Sequence, residues 1–317
     1  MKTWFKNSYF LSFLLACCWG PSFMFIKFGL LSFSPTLMVQ LRLSIAAALL
    51  LIYLSFKNIN LPKFGIFWLH CSMMGLFAAA LPFTLFALGE EHIDSALAGI
   101  LNGLTPIFTV ILAKFLLKNE KLTPERVLGI ACGFIGFCSL LLPTLLDQHF
   151  DMDSTAIFMV TLAALSYAVA MVYGKIYLPT TTTLAIPACQ ILCGSVLLFP
   201  FTLFFNTSNL MQIHIQWSAI MGVLGLAILG TVFAFIIYFK ILEIGGAVVL
   251  SMASYLLPVF GIIFGVIFLH EKIKIFSFLG TGVIIVGMML VNNGLKLSSL
   301  KHRYSKDIGF CDTKKVE

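Results

Sequence analysis

Two apolar stretches, each with a proline inside it, constrain what this chain can fold into. They cover residues 96–120 and 247–271, and each begins with small residues and ends in a glutamate. Each has the roughly 20 apolar residues that a helix needs to cross a bilayer. The proline, Pro106 or Pro258, removes a backbone hydrogen bond and frees the carbonyl four residues earlier. The pattern therefore predicts two kinked membrane helices.

The two freed carbonyls belong to polar residues, Asn102 and Ser254. Inside the hydrocarbon layer a freed carbonyl must be satisfied by protein or by a water-filled cavity. The repeated placement favours a polar cavity near the middle of the membrane. The alternative is a kink that a neighbouring helix satisfies.

Composition indicates a polytopic membrane protein. Of the 317 residues 60% are hydrophobic and only 10% are charged, whereas a soluble domain carries about 25% charged residues. The eight cysteines show no CxxC or Cys/His spacing, and only Cys189 and Cys193, one helical turn apart, are expected to meet. The six histidines are scattered. We therefore predict no metal, no cofactor and no catalytic cluster.

Apolar runs predict ten transmembrane helices in an all-α fold. The runs cover residues 9–31, 35–56, 66–88, 94–116, 123–143, 154–176, 184–205, 216–239, 245–268 and 274–293. A short basic segment, 1–8, precedes them, and a polar basic tail, 294–317, follows. The first run resembles the start of a signal peptide, but no A-x-A cleavage site follows it, so we interpret it as a retained helix.

The distribution of lysine and arginine predicts the orientation, because cytoplasmic loops carry an excess of these residues. With the N-terminus inside, sixteen of them fall on the cytoplasmic face, while Lys27, Lys272 and Lys274 fall outside. We expect both termini to be cytoplasmic. Tail binding to nucleic acid is not expected; anionic lipid at the inner surface is the expected neighbour.

The chain contains two copies of one five-helix unit, residues 9–143 and 154–293. Trp19 matches Tyr167 in the second copy, and Gln40 matches Gln190. Because five is odd, the second copy enters the membrane inverted. Inverted repeats place a binding site at their interface near the midplane and permit alternating access.

These features together resemble the EamA-like family of the drug/metabolite transporter superfamily. The resemblance is carried by the ten-span plan, the segment WGPSFMFIK at residues 19–27, Arg42, and the order of proline, glutamate and glycine in both copies. It implies a bacterial inner-membrane secondary carrier that moves small metabolites, often an exporter of amino acids or related compounds. The substrate is not fixed by it.

The candidate substrate-binding residues are polar or aromatic side chains within the predicted spans: Trp19, Gln40, Arg42, Asn102, Tyr167, Gln190, Ser254 and Tyr255. Arg42 suits a substrate carboxylate or phosphate; alternatively it snorkels outward or pairs with Glu90, Glu91 or Asp94. The aromatic pair can stack on a planar or apolar substrate or pack in the core, and the glutamines can bind substrate or bridge helices.

Acidic residues are absent from the middle of every predicted span, and His92 and Asp94 are expected in a solvated external loop. Glu90 and Glu91 also precede the fourth predicted span, on the same outer face. Intramembrane proton relays normally use carboxylates or histidines. The pattern therefore argues against a carboxylate relay at the midplane, and we expect the gradient of the substrate itself to drive transport.

Glycines form small-residue faces in the fifth and tenth spans, at positions 129, 133 and 136 and at positions 280, 282 and 287. Such faces let helices approach closely. In the family that the chain resembles, the equivalent helices serve homodimerisation or scaffolding, and both readings stay open.

Three other functions compete with a metabolite exporter. A nucleotide-sugar or sugar-phosphate translocator should show several basic residues converging inside the bundle, and only Arg42 is a clear candidate. An integral-membrane enzyme would need a cluster of His, Asp or Glu. An assembly protein would not need polar residues repeated inside the spans. The expected partners are a small-molecule substrate and the lipid bilayer.

Overall fold

A computed structural model describes residues 8–117, 124–146, 153–178, 185–206, 215–251 and 253–269, together with positions 279, 280, 282, 283, 286, 287 and 290. Some of the predictions concern parts of the chain outside these residues. Those parts are segment 1–7, Glu120, Glu271, most of the predicted tenth span and the tail. Throughout the part that is described, the regular structure is helical.

Thirteen α-helices follow one another along the described chain. They are α1 (Ser8–Trp19), α2 (Ser22–Leu30), α3 (Pro35–Phe56), α4 (Ile66–Gly75), α5 (Leu81–Glu90), α6 (Ser95–Asn102), α7 (Thr105–Leu116), α8 (Pro124–Leu146), α9 (Ser154–Tyr177), α10 (Ala185–Asn206), α11 (Trp217–Ala227), α12 (Ala234–Ser251) and α13 (Ala253–Leu269).

Among the residues that the structure describes, six stretches are long and apolar enough to cross a membrane. They are Phe10–Leu30, Pro35–Phe56, Ile66–Glu90, Ser154–Tyr177, Ala185–Phe205 and Trp217–Ser251. The last has 35 residues and is interrupted at Gly246, whose φ of 76° and ψ of −178° are not helical. The prediction of an all-helical membrane protein is confirmed.

Several spans are interrupted rather than continuous. The first divides between α1 and α2 at Gly20 and Pro21, and the stretch with Pro106 divides at Gly103 and Leu104, immediately before that proline. The second copy differs from this pattern because α13 continues through position 258. Its interruption falls earlier, at Gly246.

Two π-helical turns were not predicted from the sequence. One, Leu76–Ala80, joins α4 to α5, and the other, Ile228–Phe233, joins α11 to α12. Their first residues are 152 positions apart, which is also the separation of Pro106 and Pro258. π-helical turns are rare and frequently lie at functional sites. The spacing supports a duplicated unit.

Helices of the first copy pack mainly on helices of the second. Helix α3 packs on α10, α2 on α11, α5 on α9, and α1 on α12. A Cβ added at Gly75 of α4 would lie 2.6 Å from the carbonyl oxygen of Gln190 and 2.7 Å from the nitrogen of Gly194, both on α10. The two copies therefore share one core.

One glycine of the predicted tenth span, Gly287, lies against two glycines of α8, Gly129 and Gly133. A Cβ added at Gly287 would lie 2.6 Å from the carbonyl oxygen of Gly129 and 2.7 Å from the nitrogen of Gly133. Only glycine permits so close an approach of two helices. These residues join the two copies, which is a scaffolding contact.

Candidate functional site

A cavity lies between the two copies, and five of the eight candidate residues line it. These are Trp19, Arg42, Asn102, Tyr167 and Ser254. The sequence did not single out the remaining wall residues, which are Ser22, Phe23, Ile26, Phe83, Phe86, Met171 and Leu257. The cavity has a volume of about 30 Å³, which holds roughly two water molecules. The cavity is therefore small in this conformation.

Arg42 of α3 is the cation of the cavity wall. Its side chain is buried, and its guanidinium carbon lies 3.5 Å from the centre of the Phe83 ring. Nε donates to Oγ1 of Thr231 at 2.8 Å, and Nη2 donates to the carbonyl oxygen of Gly230 at 3.0 Å. Burial contradicts an outward-snorkelling arginine. Because these three partners are neutral, the charge is available to an anion bound in the cavity.

The π-helical turn Ile228–Phe233 positions this arginine. The hydroxyl of Thr231 donates to the carbonyl of Leu226, five residues earlier, at 2.8 Å. Besides the bond from Arg42, the carbonyl oxygen of Gly230 accepts a hydrogen bond from Nε1 of Trp19 at 3.2 Å. The π-helical turn of the second copy thus forms hydrogen bonds with two cavity residues of the first copy, Trp19 and Arg42.

Aromatic rings form much of the wall. The Trp19 and Tyr167 rings lie 6.3 Å apart at an interplanar angle of 25°, and the Phe86 and Tyr167 rings lie 6.0 Å apart at 30°. Trp19 also meets the edge of Tyr238 at 6.2 Å. The repeat-matched pair Trp19 and Tyr167 is therefore brought together. Nearly parallel faces of this kind can accept a planar or apolar group.

The polar wall residues are buried. The Asn102 side-chain oxygen accepts from Thr105 Oγ1 at 3.0 Å, and Ser254 lies across the cavity on α13. The hydroxyl of Ser22 has no partner among the described residues. Ser22 directly follows the interruption at Pro21, and that proline was the sequence signal that could have identified it.

The two glutamines lie outside the cavity wall. Nε2 of Gln40 lies 2.9 Å from the hydroxyls of both Ser44 and Ser195, so it connects α3 to α10. Gln190 is fully buried on α10, and its amide has no partner within the described part of the chain. Tyr255 belongs to α13, but its side chain is outside what the structure describes. The bridging interpretation fits Gln40.

One end of the bundle carries a buried acid, Glu90, which the sequence placed between two predicted spans. Glu90 is the last residue of α5 and is fully buried. Lys27 Nζ donates to its backbone carbonyl at 2.5 Å, and Ser95 Oγ lies 3.4 Å from its Oε2. His92 and Asp94 are exposed, as expected.

The pKa values of two acids at this end, Glu91 and Asp153, are shifted in opposite directions. Partial burial raises the pKa of Glu91. Asp153 caps α9 through its Oδ1, which accepts from the backbone N–H groups of Ala156 at 3.2 Å and Thr155 at 2.8 Å. These bonds lower the pKa of Asp153, with a smaller contribution from His92, which lies 3.8 Å away.

An aromatic cluster to which the sequence assigned no role lies between α4 and the C-terminal part of α9, far from the Asp153 end of that helix. Nδ1 of His70 lies 2.7 Å from the hydroxyl of Tyr173. The His70 ring also stacks on Tyr177, with centres 5.1 Å apart. This cluster joins the two copies beyond the cavity.

The described cysteines are all free thiols. The side chains of Cys71 on α4 and Cys189 on α10 interact, so the expectation that Cys189 could meet only Cys193 was too narrow. Among the residues that the structure describes, no three His, Cys, Asp or Glu side chains form a metal-binding group.

A helical membrane fold with a cavity between duplicated halves is typical of membrane transporters. The chain belongs to the EamA-like transporter family, whose model matches residues 6–142 and 154–293. The resemblance predicted from the sequence is confirmed, and the protein is a transporter rather than an enzyme.

Relatives with the same architecture occur in bacteria. The chain is 28% identical over 281 residues to the uncharacterized transporter YoaV of Bacillus subtilis, covering 86% of this chain and 92% of that protein. It is 26% identical over 293 residues to a probable amino-acid metabolite efflux pump of Escherichia coli, covering 90% and 95%. The inner membrane transporter YedA of that organism is 24% identical over 292 residues, covering 91% and 92%.

A solved crystal structure shares the fold. It superposes with a TM-score of 0.68 at 17% identity and covers 89% of this chain and 95% of the solved one. The chain is accordingly similar to these proteins over nearly its whole length.

Proposed function

We propose that this transporter is a secondary carrier of the bacterial inner membrane that exports amino acids or related compounds by alternating access between its two halves. One observation carries the proposal: Arg42 is buried in the wall of a cavity between the halves and is held there by neutral groups. A buried cation of this kind normally marks a substrate or ion pathway.

The wall chemistry supports a carboxylate attached to an apolar or planar group. The carboxylate would accept from the guanidinium of Arg42, which binds such groups bidentately. The side chain would lie against Trp19 and Tyr167. The oxygens of Asn102 and Ser254 can accept from an ammonium group. An apolar or aromatic amino acid satisfies all of these groups at once.

The relatives add support of a separate kind. One of them is named as a probable amino-acid metabolite efflux pump, and another is named as an inner membrane transporter. The proposal extends both properties to this chain.

The proposed membrane arrangement has ten helices in two inverted sets of five, 9–143 and 154–293, with segment 1–8 and tail 294–317 in the cytoplasm. The equal spacing of the π-helical turns and of the two prolines supports duplication. The excess of lysine and arginine on one face supports the orientation.

A nucleotide-sugar or sugar-phosphate substrate is less well supported. Two or more phosphate charges would require further cations, and Arg42 is the only lysine or arginine that lines the cavity among the described residues. An enzymatic or purely structural role does not agree with membership of a transporter family.

The proposal is tested by untargeted analysis of the medium of cells that express the intact protein or a variant with Asn102→Ala and Ser254→Ala. Matched controls are Ser55→Ala and Ser139→Ala, because those hydroxyls bond only to carbonyls of their own helices. Specific amino acids or their derivatives should accumulate outside cells with the intact or control proteins only. Identical media at equal expression would contradict export.

A further inference from the structure

Ser22 carries a buried hydroxyl group in the cavity wall that bonds to nothing in the described part of the chain. Only 8% of the residue is exposed, and its Oγ has no hydrogen-bond partner there. Other helical serines, Ser12, Ser55 and Ser139, donate to the carbonyl four residues earlier. A buried polar group without a partner costs free energy. Its presence in a cavity wall is explained if a ligand supplies the acceptor.

The proline before Ser22 places the start of a helix at the cavity. Pro21 has no backbone N–H, so the hydrogen-bond ladder of α1 cannot continue through it. The bond from the N–H of Phe25 to the carbonyl of Pro21, at 3.0 Å, marks the start of α2. The first N–H groups of a helix have no partner within that helix, and Pro21 supplies no side-chain cap. Ser22 and Phe23 belong to this first turn and line the cavity.

The Ser22 hydroxyl lies close to the guanidinium of Arg42. A Cβ added at Gly230 would lie 2.8 Å from Ser22 Oγ and 3.3 Å from Arg42 Nη2, so one small group can reach both donors. The bonds of Arg42 to Thr231 and Gly230 hold the guanidinium in this place. A hydroxyl, a cation and the N-terminus of a helix therefore meet at one part of the wall. Each of them favours a negatively charged ligand.

Resting on the function proposed above, we propose that Ser22 and the first turn of α2 form, together with Arg42, the pocket for the substrate carboxylate. The Ser22 hydroxyl and the N–H groups of the turn donate to one carboxylate oxygen, and Arg42 donates to the other. The N-termini of broken helices serve anionic substrate groups in other secondary transporters. The ammonium group of the substrate then lies towards Asn102 and Ser254.

This pocket distinguishes a carboxylate from a carboxamide. A guanidinium and backbone N–H groups can only donate hydrogen bonds, whereas the NH₂ of a carboxamide is itself a donor. The amide of an amino acid has nearly the size of the acid but lacks its negative charge. We therefore expect Ser22 to contribute to the affinity for the acid and not to the affinity for the amide.

The first test needs no amino acid. Melting temperatures of the intact protein, Ser22→Ala and the control Ser139→Ala are measured in formate and in chloride at equal ionic strength. Formate is the smallest carboxylate and suits the small cavity. It should raise the melting temperature of the intact protein and of the control, with a smaller rise in Ser22→Ala. Equal values in both salts, or one rise common to all three proteins, would overturn the proposal.

The values in chloride separate binding from folding. Because Ser22→Ala removes a buried hydroxyl that has no partner in the described chain, its melting temperature in chloride should equal or exceed that of the intact protein. A clear fall would show that the hydroxyl stabilises the fold instead, and it would overturn the proposal.

The second test measures counterflow of an amino acid identified as a substrate. Ser22→Ala should weaken its apparent affinity roughly 10-fold, because a hydrogen bond to a charged group is lost, and Ser139→Ala should not. The amide of that amino acid should compete weakly and equally in all three proteins. Unchanged affinity in Ser22→Ala would reject the pocket and leave the carrier function intact. A formate effect that depends on Ser22, in a protein that exchanges no amino acid, would support the pocket and reject the proposed function.

Discussion

The guanidinium of Arg42, in the first copy, donates a hydrogen bond to the backbone carbonyl of Gly230, in the second copy, with Nη2 and the oxygen 3.0 Å apart. The π-helical turn that contains Gly230 therefore fixes the cation of one half from the other. The proposed substrate-binding residue of one half is thus in direct contact with the other half.

The chemistry of Arg42 gives the first prediction. Arg42→Lys keeps the positive charge, but a lysine that lies over the Phe83 ring cannot donate hydrogen bonds to both Thr231 and Gly230. A hydrogen bond to a charged group contributes about 1.5–3 kcal/mol, so substrate affinity should fall roughly 10- to 100-fold. Competition measurements with the purified carrier check this. Equal affinity in the lysine variant would show that charge alone is sufficient.

The space around Gly230 gives the second prediction. A Cβ added there would lie 2.8 Å from Ser22 Oγ and 3.3 Å from Arg42 Nη2. Gly230→Ala should therefore displace the guanidinium and lower transport while the protein still folds. Gly65→Ala is the control, because a Cβ at that position meets nothing within 4 Å. Full activity of Gly230→Ala would contradict the proposed positioning.

The sequence was most informative where a physical requirement is repeated in both copies. Asn102 and Ser254 were found because each precedes a proline by four residues, and Trp19 and Tyr167 because they match in the alignment of the copies. All four line the cavity. A local physical requirement made each of them visible in the sequence: a backbone carbonyl freed by a proline, or a polar or aromatic side chain repeated inside a membrane span.

Other features depend on contacts that no local pattern records. Phe83 and Phe86 look like ordinary apolar residues until α5 is placed against α3 and α9. The π-helical turns contain no unusual residues. The burial of Glu90 was not apparent because this residue follows an apolar run, between two predicted spans, and packing by α2 and α6 buries it.

The bridge between Gln40 and Ser195 gives the third prediction. Because this bond joins α3 to α10 away from the cavity, Gln40→Leu should lower the melting temperature without altering substrate affinity. Ser195→Ala should add little further loss in the double variant, since each change removes the same bond. An affinity loss as large as that of the arginine variants would place Gln40 in the substrate site instead.

The contact at Gly287 gives the fourth prediction. Leucine at this position would collide with the backbone of α8 at Gly129 and Gly133, and overpacking typically costs about 1–3 kcal/mol. Gly287→Leu should lower the melting temperature, whereas Gly282→Leu should not, because a Cβ at Gly282 meets nothing within 4 Å. Equal melting temperatures would contradict the intramolecular glycine contact.

The cap of α9 gives the fifth prediction, which concerns pH. Hydrogen bonds from the N–H groups of Ala156 and Thr155 lower the pKa of Asp153 in the folded protein. Its stabilisation is therefore present above the pKa of the unfolded chain and is lost as pH falls through the lower, folded value. Asp153→Ala should melt below the intact protein at neutral pH, with the difference shrinking in acid. A difference independent of pH would exclude the ionised cap.

Counterflow in liposomes tests the central claim most directly. The intact carrier, Arg42→Met and Gln40→Leu are each reconstituted and offered radiolabelled amino acids, with the matching decarboxylated amines as competitors. The account predicts that the intact carrier and Gln40→Leu exchange at least one apolar or aromatic amino acid, that Arg42→Met does not, and that the amines do not compete. Undiminished exchange by Arg42→Met, or equal competition by amines, would contradict a carboxylate site at Arg42.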